Sequence, residues 1–153
     1  MSYQSITEEQ WATVSCAAEE ALELKKYAVR LSAKLKEYFD DEHSRARLGV
    51  KFEVLGDDTT WRIESVFGVA RAHLRIFANE AGLYAKYLIE RQNKCPADQP
   101  VWQSVWAIHI TLQGVAHPGH DSAEPINLRA SSNHTDDAMV GLGLSLLYAL
   151  GQE

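Results

Sequence analysis

Across residues 48–114 apolar and polar side chains alternate in one segment after another. Val50, Phe52 and Val54 fall on one side, Lys51 and Glu53 on the other. Trp61 and Ile63 alternate with Arg62 and Glu64, and Ala72, Leu74 and Ile76 with Arg71, His73 and Arg75. Trp106, Ile108, Ile110 and Leu112 alternate with Ala107, His109, Thr111 and Gln113. Successive side chains of a strand face opposite sides, so the pattern predicts an antiparallel sheet of four or five strands with one apolar and one polar face. Residues 83–92 are ambiguous: Leu83, Ala85, Tyr87 and Ile89 alternate as in a strand, yet the residue types favour helix. The short flanking turns favour a strand. Gly56-Asp57-Asp58-Thr59 has hairpin chemistry, and Asn79-Glu80-Ala81-Gly82 marks the next turn. Gly68 is expected as a bulge or bend inside one long strand. Residues 94–100, with two prolines and Cys95, form a loop before a final strand over roughly 101–114.

A different period governs both ends of the chain. Ala17, Ala21, Leu24, Ala28, Leu31, Leu35 and Tyr38 recur at alternating steps of four and three, one stripe of a helix. Thr7-Glu8-Glu9-Gln10 is a capping box that starts it, and Asp40-Asp41-Glu42 ends or loosens it. Lys25, Lys26, Arg30, Lys34 and Lys36 fill the remaining surface. The stripe should pack on the apolar sheet face or take a second copy of the chain. Residues 115–137 are irregular, rich in Gly, Pro, Ser, Asn and His. Thr135-Asp136-Asp137 then caps a closing helix over 138–150, apolar all round and so expected to be buried on more than one side. In it Gly141, Ser145 and Ala149 recur every four residues and would let a neighbouring backbone approach. The expected fold is therefore α+β, a single domain over 1–153, with a long N-terminal helix and an apolar C-terminal helix packed on one face of the sheet.

Composition changes this picture little. The 153 residues suit one domain with a real core, and the net charge of −6 disfavours nucleic acid as a general partner. The N-terminus lacks the charged and apolar regions of a signal peptide, and no apolar run reaches the ~20 residues needed to span a bilayer. Two cysteines without CxxC or Cys/His spacing fit a reduced, cytoplasmic protein rather than a disulfide scaffold. No membrane contact and no cofactor is expected.

The polar sheet face carries the candidate chemistry. Arg71, His73 and Arg75 share one side of a strand, and His109, Thr111 and Gln113 one side of another. Were those strands neighbours, guanidinium and imidazole groups would share a surface suited to an anion or an acidic partner. His109-Ile110-Thr111-Leu112 resembles the His-x-Thr/Ser tripeptide of the 2H phosphoesterase superfamily, whose members carry two such tripeptides on facing strands. That resemblance implies a phosphodiester hydrolase in which His109 and His73 act as base and acid. The possible mate, His73-Leu74-Arg75, has Arg where the hydroxyl belongs. His117-Pro118-Gly119-His120-Asp121 with His134, Asp136 and Asp137 offers metal-ligand types, but in no established ligand spacing. Those residues are taken as a turn and a helix cap, with no metal. Trp61 and Trp106 lie in phase with the apolar face, leaving an aromatic pocket between helix and sheet as a further alternative. With no complete catalytic set, the expected function is a non-enzymatic protein-interaction module that binds another protein through Arg71, His73, Arg75, His109 and Thr111; the apolar closing helix and the long first stripe also point to a homodimer. Small acidic chaperone-, immunity- or inhibitor-like proteins offer a fold-level analogy.

Overall fold

The capping box forms as its residue types require. The Thr7 hydroxyl accepts from the Gln10 N–H at 3.1 Å, and the Gln10 side chain accepts from the Thr7 N–H at 2.9 Å. This starts α1 (Glu8–Ser15) in a computed structural model that describes residues 5–94, 100–119, 125–129 and 133–153. The single long helix expected from the stripe is in fact interrupted at Cys16, after which α2 (Ala17–Asp40) continues. The interruption is slight: the Cys16 N–H reaches the Ala12 carbonyl and its own carbonyl accepts from Glu20, so the helical direction is kept. Asp41 then leaves helical geometry, and its carboxylate accepts from the His43 N–H at 3.2 Å. The acidic run thus ends one helix and caps another, α3 (Glu42–Leu48), which Gly49 closes at φ +60°.

Among the described residues the sheet has seven strands, not four or five: β1 (Lys51–Leu55), β2 (Thr60–Ser65), β3 (Gly68–Asn79), β4 (Gly82–Lys94), β5 (Pro100–Ile110), β6 (Val115–Pro118) and β7 (Ile126–Asn127). Each pairs antiparallel with its neighbour in sequence, in the order β1 to β7. The ambiguous segment is a strand, β4, as its alternation indicated. Gly68 is no bulge in a long strand. It pairs with Ser65 across a two-residue turn of Val66 and Phe67, so the segments before and after it are separate strands. That turn escapes sequence reading because its tip is apolar; only the φ of +103° at Gly68 shows why glycine stands there. The final strand ends at Ile110 rather than near Gly114, because residues 111–114 turn the chain. Thr111 and Val115 exchange backbone contacts there, the Thr111 N–H donating to the Val115 carbonyl at 2.9 Å. The stretch expected to be irregular contains β6 and β7, too short to show a period.

α2 and α4 (Asn133–Leu150) lie side by side on the apolar face, as the pattern predicted. Beneath α2 an aromatic ladder runs Phe39–Phe52–Trp61–Tyr87, with successive ring centroids 5.8, 5.0 and 5.7 Å apart. The Tyr87 hydroxyl, buried in this ladder, donates to the Ala28 carbonyl at 3.1 Å and lies 2.7 Å from the Ser32 hydroxyl. Burial pushes its ionisation far above the ordinary range, so it stays neutral. α4 starts at Asn133, which places Thr135–Asp137 inside its first turn rather than ahead of it. Nor is it buried on more than one side: Met139, Leu142, Leu146 and Leu150 face the core, while Val140, Leu144 and Tyr148 are exposed. Close approach uses Gly143 and not Gly141. A side chain at 143 would meet the Tyr38 ring at 2.5 Å, whereas one at 141 meets nothing within 4 Å. Arg91 holds the end of α4, donating to the Leu150 carbonyl at 2.9 Å and to the Gln152 carbonyl. Its guanidinium therefore sits at the negative end of the helix dipole. Among the described residues no helix is long and apolar enough to cross a membrane.

Candidate functional site

With both helices on one side, no described helix covers the other face of the sheet, and the register decides which side chains meet on it. Arg75 opposes Lys86, Lys86 opposes His109, and His109 opposes His117. One row crossing β3, β4, β5 and β6 therefore carries two permanent cations and two imidazoles, with no carboxylate. Beside it runs an aromatic pair, Phe77 and Tyr84, stacked with centroids 5.4 Å apart. Tyr84 in turn packs against the His109 ring at 4.7 Å, and His109 meets His117 edge-on at 6.2 Å. The Arg75 guanidinium lies 5.2 Å from the Phe77 ring, and the Lys86 ammonium is 5.8 and 5.9 Å from Phe77 and Tyr84. Both cations thus lean over the aromatic pair instead of pairing with acids. His109 is half-buried. Desolvation lowers its pKa from the ordinary 6.5, and the nearby Lys86 and His117 lower it further.

A second cluster lies further along the same face. Glu90 accepts from Arg71 Nε at 3.1 Å and stands 3.5 Å from His73 Nδ1. The Arg71 guanidinium also stacks on Trp102 at 4.0 Å. Trp102 reaches this face because the register of β4 and β5 slips: Ile89 opposes Trp106, but Glu90 opposes Ser104. The extra residue, Val105, reverses the facing of the strand, so Trp102 and Trp106 end on opposite sides despite their even spacing.

Arg71, His73, Arg75 and His109 therefore do share the polar face, although β4 separates the strands that carry them. Thr111 does not belong with them. It sits in the turn after β5, where its hydroxyl accepts from the Val115 N–H at 3.3 Å. His73 and His109 do not face each other across a cleft. They lie two strands and two residues of register apart, roughly 12 Å between Cα atoms at ~4.8 Å per strand and ~3.4 Å per residue. Neither a second hydroxyl-bearing tripeptide nor a facing strand completes the phosphoesterase arrangement among the described residues. His120 and Asp121 of the histidine-rich loop and Cys95 lie outside the described residues, as do the side chains of His134 and Asp136.

Sequence reasoning missed Lys86, Tyr84, Phe77 and Glu90, and it read His117 as part of a turn rather than as a residue of this face. The available signal was parity: in 83–92 the residues out of phase with Leu83, Ala85, Tyr87 and Ile89 are Tyr84, Lys86, Leu88 and Glu90. The concave regions lie elsewhere. A groove of about 440 Å³ runs between α2, α3 and α4, lined by Tyr38, Arg47, Leu48, Met139 and Leu144. An open depression separates Leu144 and Tyr148 of α4 from Trp106 of β5. Between α2 and the sheet, the aromatic ladder fills the space. Comparison with protein-family models, with curated proteins and with solved structures gives no match for this chain.

Proposed function

We propose that the chain is a non-enzymatic binding module that takes an acidic segment of another protein on the bare face of its sheet. One observation carries the reading: Arg75 and Lys86 have no carboxylate within ion-pair distance among the described residues, and both lie over an aromatic pair. Elsewhere on the face the cations are matched, Lys51 with Glu53, Arg62 with Glu64 and Arg71 with Glu90. An unmatched strip in a chain of net charge −6 is a local attractor for carboxylates, and Phe77 and Tyr84 add apolar contact area. The same net charge repels a long polyanion, which favours a short acidic protein segment over nucleic acid.

The test uses a fluorescein-labelled peptide of alternating Glu and Asp with one central Phe, followed by anisotropy at low and moderate salt. The chain should bind it, more weakly as salt rises, and Arg75→Glu with Lys86→Glu should weaken binding at least tenfold while Arg62→Glu changes little. Equal binding by the double variant overturns the proposal, as does absence of binding. Tighter capture of a single-stranded RNA of matched charge, lost in the same double variant, overturns it in favour of nucleic acid.

A further inference from the structure

The sheet-facing stripe of α2 is not the only one along the first two helices. On the outward side Trp11, Ser15, Ala18, Leu22, Lys26, Val29 and Ala33 recur at steps of four and three, and all are exposed. Trp11 is 65 % exposed, Leu22 62 % and Val29 37 %. α1 has no buried residue at all. An eight-residue helix without tertiary support is marginal in water, so the stripe lacks the packing that normally sustains such an element.

The charges along the same helices say what would cover it. From Glu8 to Glu23 every charged residue is acidic: Glu8, Glu9, Glu19, Glu20 and Glu23. From Lys25 to Lys36 every one is basic: Lys25, Lys26, Arg30, Lys34 and Lys36. Glu20 turns towards the sheet, accepting from the Leu83 N–H at 3.1 Å, and Arg30 bonds the Leu128 carbonyl at 3.2 Å. Lys36 is held by Asp40 at 2.8 Å and reaches the Phe52 carbonyl, and Lys26 stands 3.8 Å from Glu23. The others carry no ion pair among the described residues, with acids on the first half and bases on the second. A helix with this division is complementary to itself run backwards.

We propose that the outward face of α1 and α2 docks a second copy of the chain in antiparallel register about Leu22. With Leu22 of each copy at the two-fold axis, Ser15 falls opposite Val29, Ala18 opposite Lys26 and Trp11 opposite Ala33. Away from the axis, large side chains then meet small ones. The same register brings Glu19 level with Lys25 and Lys26 of the other copy, and Glu9 level with Lys34. The overlap, residues 8–36 of each helix pair, spans roughly 43 Å at ~1.5 Å per residue, ample for a helix-paired interface. Such an interface is isologous, each copy giving and receiving the same contacts.

Sedimentation equilibrium on the full chain tests this, with circular dichroism to confirm that exposed substitutions leave the fold intact. The chain should be a dimer that weakens with salt, and Leu22→Glu should weaken it at least a hundredfold. One variant carries Glu9→Lys and Glu19→Lys; another carries Lys25→Glu, Lys26→Glu and Lys34→Glu. Each alone should dimerise at least tenfold more weakly, and an equimolar mixture should form a heterodimer. A monomeric chain at 0.1 mM, on the order of the weakest useful interface affinities, overturns the proposal. So does a dimer indifferent to Leu22→Glu, which would place the contact elsewhere, or a mixture that fails to pair, which would exclude the antiparallel register.

Discussion

At the scale of single residues, His109 is a group whose titration the fold alters within the working pH range. Its pKa is lowered by burial first, then by Lys86 on β4 and His117 on β6, with the Tyr84 ring packed against it. The folded chain therefore takes up that proton less readily than the unfolded chain. This contribution to stability is intact above pH 6.5 and is lost as pH falls through 6.5 towards the lowered folded value. Replacing the imidazole removes the dependence, so His109→Gln should flatten the fall in melting temperature between about pH 7 and pH 5. Scanning calorimetry on both proteins checks it; parallel slopes would show that other groups carry the effect. Four of the five residues singled out from sequence share the bare face because alternation fixes the side of a strand to which each belongs. Thr111 kept the alternation going past Ile110, where the chain had already turned. Lys86 was out of reach for a further reason: cross-strand neighbours depend on register, which a single sequence does not display.

The elements were legible in proportion to their length. α2, β3 and β4 run long enough for a period to declare itself, whereas β6 and β7 hold four and two residues and show none. The turn at Val66 and Phe67 has an apolar tip, and its only turn residues flank it: Ser65, whose hydroxyl accepts from the Phe67 N–H at 3.1 Å, and Gly68. Small residues in α4 were the other misreading, since an even spacing of Gly141, Ser145 and Ala149 suggested a contact that Gly143 makes instead. The two glycines therefore make a paired prediction for chemical denaturation. Gly143→Ala drives a methyl into the Tyr38 ring and should cost about 1–3 kcal/mol. Gly141→Ala enters open space on the same helix and should stabilise the chain by about 0.5–1 kcal/mol. Destabilisation by both would mean that Gly141 is also in close contact with something.

For the whole molecule, both helices sit on one face, so the apolar core and the proposed binding surface lie on opposite sides of the sheet. Their division was visible in the alternation, but the closing of the sheet at β6 and β7 was not. Hydrogen bonding across the sheet is uneven. β3 and β4 match ten residue pairs, as do β4 and β5, against five for β1 with β2 and two for β6 with β7. Amide exchange should follow this gradient, slowest in the middle of β4 and fastest in β7, by several orders of magnitude. Uniform protection across the strands would contradict it. The strictly sequential order of the strands has a bearing on synthesis. Each hairpin can close as soon as its second strand leaves the ribosome, against an α2 that has emerged before any of them, and nothing synthesised later need be threaded between two strands already paired. Only α4 arrives after the sheet is finished. A nascent chain stalled ahead of Asn133 would hold the sheet with the inner sides of β5 and β7 unroofed, and quality control would meet it in that state.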